Sequence, residues 1–124
     1  MTLIRNAEAR RTETSAAVMT TFASPTQGEA SLSVWRVDSA AGSAGPDHLI
    51  DAEQVWTFLK GTATVRLDGE TLSVAAGDTV VMPADVVRQV SAGSEGFTAV
   101  VAAPAGAQAS MPGSADKMLP PWIA

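Results

Sequence analysis

Between residues 32 and 102 the chain is cut into seven short runs, at 32–37, 54–59, 62–67, 71–74, 79–82, 86–90 and 97–102, each apolar or alternating in character. The separators are Gly61, the Asp68-Gly69 pair, Gly77-Asp78, Pro83 to Asp85 and Gly93 to Gly96. Runs of this length suit strands, and Asp-Gly between two of them marks a hairpin. No long window repeats apolar residues at three-and-four spacing, and Gly or Pro interrupts most of them, so helices are few or absent. Many short strands at regular spacing predict an all-β sandwich or closed barrel. The absence of an internal repeat favours one barrel over a tandem pair.

A chain of 124 residues is one domain's worth and buries a real core without disulfide or metal staples. Its organisation reads as an N-terminal arm at 1–26, a barrel core at 27–102 and a tail at 103–124 that docks on the barrel. The arm is the more charged part and holds one plausible strand near 17–22; such a segment pairs across a dimer in small barrels and covers a sheet edge. Residues 38–47, rich in Ala, Gly and Ser, read as a loop. The tail is loop-like to Lys117, and Leu119-Pro120-Pro121-Trp122-Ile123 reads as an apolar plug in which Trp122 packs.

Several functions are excluded early. Without cysteine there is no disulfide framework, thiolate metal site or cysteine nucleophile. A formal charge of −5 with only eight scattered Lys and Arg argues against nucleic acid. The first residues carry Arg5, Glu8, Arg10 and Arg11 rather than a leader's apolar stretch, and no run approaches membrane-spanning length. The expectation is a cytoplasmic protein with no membrane partner.

The spacing of residues from Gly42 to Gly61, and again from Gly77 to Arg88, resembles the two signature motifs of the cupin superfamily. The first motif runs Gly-x5-His-x-His-x3,4-Glu-x6-Gly; here Gly42, His48, Ile50, Gln54 and Gly61 stand at those places. The second runs Gly-x5-Pro-x-Gly-x2-His; here Gly77, Pro83, Asp85 and Arg88 occupy it. The resemblance implies an RmlC-like jelly-roll barrel. In metal-binding members the two His, the Glu and the second motif's His surround one divalent ion. This chain keeps His48, its only histidine, and Gln54, whose amide oxygen can ligate, but Ile50 has no donor and Arg88 is a fixed cation. No cofactor is therefore expected, and a weakly held divalent ion would rest on His48 and Gln54.

Strand alternation sends Gln54, Trp56 and Phe58 to the barrel interior, with Arg88 and Val90 facing in from the second motif's strand. The expected small-molecule pocket has walls of Trp35, Ile50, Trp56, Phe58 and Val90, with His48, Gln54 and Arg88 as convergent polar groups. Trp56 and Phe58 serve equally as barrel filling. A buried Arg88 needs an internal carboxylate (Asp85, Asp51 or Glu53), water at the mouth, or an anionic or carbonyl-bearing ligand. Three functions fit. The first is a metal-independent isomerase, cyclase or dehydratase acting on a carbonyl compound such as a natural-product intermediate. There His48 is the acid or base, Arg88 polarises the carbonyl and Gln54 orients. The others are a metal-dependent oxygenase with a degenerate site and a non-catalytic binder. A homodimer is the expected assembly.

Overall fold

The computed structural model describes residues 1–124. A single 3-10 turn, Asn6–Glu8, precedes ten strands: β1 Arg10–Glu13, β2 Val18–Ala23, β3 Leu32–Ser39, β4 Leu49–Ile50, β5 Gln54–Leu67, β6 Glu70–Ala75, β7 Thr79–Met82, β8 Arg88–Pro104, β9 Ala109–Ser110 and β10 Lys117–Met118. The main sheet runs β1-β2-β3-β8-β5-β6 with β7 also paired to β5, and β10-β9-β4 form a small second sheet. Every pairing is antiparallel. This is the all-β class that the turn spacing predicts, and the jelly roll is the form the cupin resemblance implies.

Two predicted boundaries are wrong in an instructive way. The runs at 54–59 and 62–67 are one strand, β5, and residues 88–90 of the run at 86–90 join 97–102 in another, β8. Gly61 and Gly93 to Gly96 are not inter-strand turns. They sit where the β5–β8 register shifts, between Phe58 and Lys60 and between Gly61 and Ala63. On β5 the buried positions change from Gln54, Trp56 and Phe58 to Ala63 and Val65; on β8 they change from Arg88 and Val90 to Phe97, Ala99, Val101 and Ala103. Both strands thus switch which alternate residues face inward. That is the signature of bulges, which bend a pair of strands without ending them.

The bend depends on a close approach of two backbones. Gly61 has φ +74°, and a Cβ there would lie 2.0 Å from the carbonyl oxygen of Gly96. Gly61→Ala is therefore expected to lower stability by about 2 kcal/mol or more, since it adds a backbone clash to the left-handed penalty. Gly69→Ala, at φ +80° with nothing within 4 Å of its Cβ, should show only the conformational part, about 1–2 kcal/mol. Urea unfolding of the pair separates the two contributions.

The core collects along the inward faces: Phe58, Val65, Met82, Ala99 and Val101 are fully buried, and Trp35 is nearly so. Burial of each large apolar side chain contributes about 1.5–3 kcal/mol. The tail meets this core through fully buried Ile123 and a buried Pro120. Its backbone is held by side chains of the first sheet. Thr21 Oγ1 donates to the Trp122 carbonyl at 2.8 Å, Ser33 Oγ to that of Ile123 at 2.6 Å, and Arg10 to that of Ala124 at 2.7 Å. These bonds account for two buried hydroxyls that an all-apolar interior would not explain.

Candidate ligand cavity

A cavity of about 620 Å³ opens between the inward faces of β2, β3, β5 and β8 and the C-terminal hairpin β9–β10. Of the residues singled out from sequence, Trp35, His48, Ile50, Gln54, Trp56 and Val90 line it. Phe58 and Arg88 do not. The Phe58 ring lies behind the wall, 6.0 Å from Trp56 and edge-on to Phe97 at 5.3 Å, where it fills the barrel. Sequence reasoning missed Met19, Phe97, Met111, Met118 and Trp122, all of which border the cavity. Trp122, read as packing, also faces the ligand space.

The two polar groups of the inner wall each have one side already committed. Trp56 Nε1 donates to Gln54 Oε1 at 3.1 Å, and an indole can only donate. The Gln54 amide is thereby oriented, and its N–H bonds are what it can offer a ligand. His48 Nδ1 lies 2.9 Å from the Pro46 carbonyl, which can only accept, so Nδ1 carries the proton and Nε2 keeps its lone pair. A reciprocal backbone pair, His48 N–H to Arg88 O at 3.0 Å and Arg88 N–H to His48 O at 2.9 Å, fixes the segment.

Burial holds His48 below the ordinary histidine value of 6.5; the Pro46 carbonyl opposes this, the Arg88 cation adds to it, and Asp47 opposes it. Asp47 is itself engaged by Arg66. The imidazole is therefore neutral at and above neutrality. The unfolded chain binds the proton more readily, so stability is full above the ordinary value and falls as pH drops from there through the folded value. Urea midpoints at about pH 7.5 and about pH 5.5 should differ more in the parent than in His48→Gln, which lacks this titration. Asp51, also held low, by the Gln108 N–H first, acts only near its ordinary value of 3.8 and leaves this window untouched.

Arg88 corrects the sequence reading most. Its side chain is buried, with 1% of its surface exposed, yet it meets no carboxylate. The guanidinium folds back on the turn at 83–86. Nη2 donates to the Pro83 carbonyl at 2.6 Å and to that of Val86 at 3.2 Å, and Nε donates to Val86 at 3.3 Å. Nη1 has no partner. The three acids proposed for it are elsewhere: Asp51 accepts from the Gln108 N–H at 2.7 Å and Lys117 Nζ at 3.3 Å, and Glu53 is exposed. Asp85 acts on Arg88 only through space, and its own N–H donates to the Ile50 carbonyl at 2.8 Å from a backbone at φ +62°. Arg88 thus braces the turn that adjoins Ile50 rather than presenting its charge to the cavity.

This donor set does not fit a divalent cation. Ile50 offers no ligand atom, the Gln54 oxygen is taken by an indole, a fixed cation stands beside the imidazole, and no three His, Asp or Glu converge anywhere.

A jelly-roll barrel with a half-open, largely apolar cavity and a few oriented polar groups has the form of a small-molecule site. Residues 35–103, more than half of the chain, match the cupin domain, and the chain belongs to the cupin family. No curated protein sequence matches it. Among solved structures it is similar to an oxalate decarboxylase of Bacillus subtilis, at 13% identity over 82% of this chain and 28% of that one, TM-score 0.73. It is also similar to the salicylate 1,2-dioxygenase of Pseudoaminobacter salicylatoxidans with gentisate, at 19% over 85% and 31%, TM-score 0.72. The polyketide cyclase RemF of Streptomyces resistomycificus aligns at 17% over 84% and 79%, TM-score 0.71. The chain spans less than a third of the length of the first two. At such identities the likeness is one of fold.

Proposed function

We propose that the protein is a metal-independent acid–base enzyme of the isomerase or cyclase type, acting on a carbonyl-bearing, partly apolar metabolite such as a natural-product intermediate. The observation that carries this reading is the pair of oriented groups in one apolar cavity: a neutral imidazole with Nε2 free, and a glutamine whose amide N–H is free. His48 Nε2 removes a proton from the carbon next to the substrate carbonyl. The C–H electrons form the enolate double bond, and the Gln54 N–H steadies the oxygen as charge develops there. Return of that proton to a different atom is isomerisation; attack of the enolate carbon on a second carbonyl, with later loss of water, is cyclisation. Arg88 holds the turn, and burial first, with the Arg88 charge in support, keeps His48 uncharged. The likeness to a polyketide cyclase along most of both chains favours this substrate class.

The same reading has the enzyme working in the cytoplasm as a homodimer. The outer edge of β1, which pairs only with β2, offers one surface for assembly. A metal-dependent oxygenase with a degenerate site is the second reading, prompted by the likeness to the salicylate 1,2-dioxygenase.

The test uses β-tetralone, a flat enolisable ketone. The purified protein should speed exchange of its α-protons in deuterium oxide above the buffer rate, in a saturable manner seen by proton NMR. Binding without exchange, read from tryptophan fluorescence, would make the protein a carrier or sensor instead. One equivalent of tightly bound iron or manganese in elemental analysis, required for exchange, would restore the oxygenase reading.

A further inference from the structure

We propose that the C-terminal hairpin at 109–118 determines ligand specificity, gripping the apolar, non-reacting end of an elongated uncharged ligand through Met111 and Met118, with Trp122 beside them. This rests on the reading of the cavity as a site for an organic substrate and says what kind of molecule fills its outer half.

The first support is the division of the wall. The family match ends at residue 103, yet fourteen of the 25 residues lining the cavity lie outside the matched stretch, nine of them between 109 and 122. The oriented groups that meet a reacting carbonyl, His48 and Gln54, belong to the matched part. The matched domain therefore supplies the chemistry, and segments outside the matched stretch close the space around the rest of the ligand.

The second support is where apolar surface is left uncovered. Met111 is 53% exposed and Met118 56%, while both also line the cavity, so they stand at its rim. Three of the nine exposed large hydrophobic residues of the chain fall between 111 and 119, a concentration that marks a contact surface rather than scattered exposure. Unbranched thioethers repack around differently shaped partners. The charges nearby are not free to attract an anion: Lys117 is paired with Asp51 at 3.3 Å, and Asp116 carries the opposite sign.

The third support is how the hairpin is held. Its foot is fixed by pairing of Leu49 with Ser110 and of Ile50 with Ala109, and by Asp51 bonded to both Gln108 and Lys117. The tip makes bonds only within itself, from Ser114 N–H to the Met111 carbonyl at 3.0 Å and from Asp116 N–H to Ser114 Oγ at 3.1 Å. A tip tied to nothing but its own turn can settle onto a ligand while the anchored foot stays in register.

The experiment compares a long flat probe, Nile red, with the shorter β-tetralone on the parent protein and on the Met111→Ser/Met118→Ser double variant. Both side chains are more than half exposed, so the variant should keep the parent's thermal midpoint. Nile red affinity, followed by its emission, should fall about tenfold. β-Tetralone affinity, followed by fluorescence of the three tryptophans that all border the cavity, should stay near the parent value. The Met111→Leu/Met118→Leu variant should restore Nile red binding. Unchanged Nile red affinity, or equal weakening of both probes, overturns the proposal while leaving the acid–base reading intact. So does a variant whose only change is a smaller mass in sedimentation, which would make the rim a self-association surface. A parent protein that binds neither probe overturns both readings.

Discussion

Replacing His48 by glutamine is expected to lower enzyme-dependent α-proton exchange of β-tetralone by about a hundredfold or more, the usual contribution of a positioned base. Affinity for the same ketone should change little. Glutamine is close in length and its amide can still donate to the Pro46 carbonyl, which accepts from His48 Nδ1 at 2.9 Å. What it lacks is a lone pair basic enough to take a proton. Loss of rate without loss of binding thus isolates the Nε2 atom from the packing of the residue. The parent's rate should be level through neutrality and fall on the acid side, below the ordinary histidine value of 6.5, because burial delays protonation of the imidazole. An exchange rate in His48→Gln equal to the parent's would remove His48 from the chemistry.

The largest loss of stability is expected from Arg88→Ala, about 3–4 kcal/mol by urea unfolding. The truncation empties a buried volume and leaves the carbonyls of Pro83 and Val86, which together accept three bonds from the guanidinium, without their donor. Arg88→Met should lose distinctly less: it refills much of the space with apolar atoms and removes a charge whose Nη1 has no partner and which no carboxylate offsets. In Arg88→Met the affinity for β-tetralone should hold near the parent value, since Arg88 does not border the cavity. A large loss of affinity with normal stability would instead place the guanidinium on the ligand.

Both experiments turn on how inward-facing positions are used, and that is where sequence reasoning was strongest and weakest. Alternation placed Gln54, Trp56, Phe58, Arg88 and Val90 on buried positions, and each is buried. It did not say which of them border open space. Phe58 and Arg88 share the inward register of their neighbours, yet one is covered by other aromatic rings and the other curls back five residues to Pro83. A side chain's direction from the backbone follows from period two, but its last bonds are set by what lies nearby. The merging of runs into β5 and β8 has a similar cause. A glycine-marked bulge and a glycine-marked turn look alike in one dimension, and only pairing of both sides with the same partner tells them apart.

By itself the sequence determined the all-β class, the barrel and its family, the sole imidazole, and the loss of donors at Ile50 and Arg88, because these depend on residue type, short spacing and turn chemistry. The tertiary structure alone decided that Arg88 braces a turn, that the Gln54 oxygen is committed to an indole, and that the tail walls the cavity. The first two are set by where a side chain's last bonds turn, two to five residues along the chain, and the third by contacts between distant parts, such as Asp51 with Gln108 and Thr21 with Trp122, 57 and 101 positions apart. No local periodicity encodes such contacts; they form because buried polar groups and apolar surfaces must each find a partner once the barrel has closed.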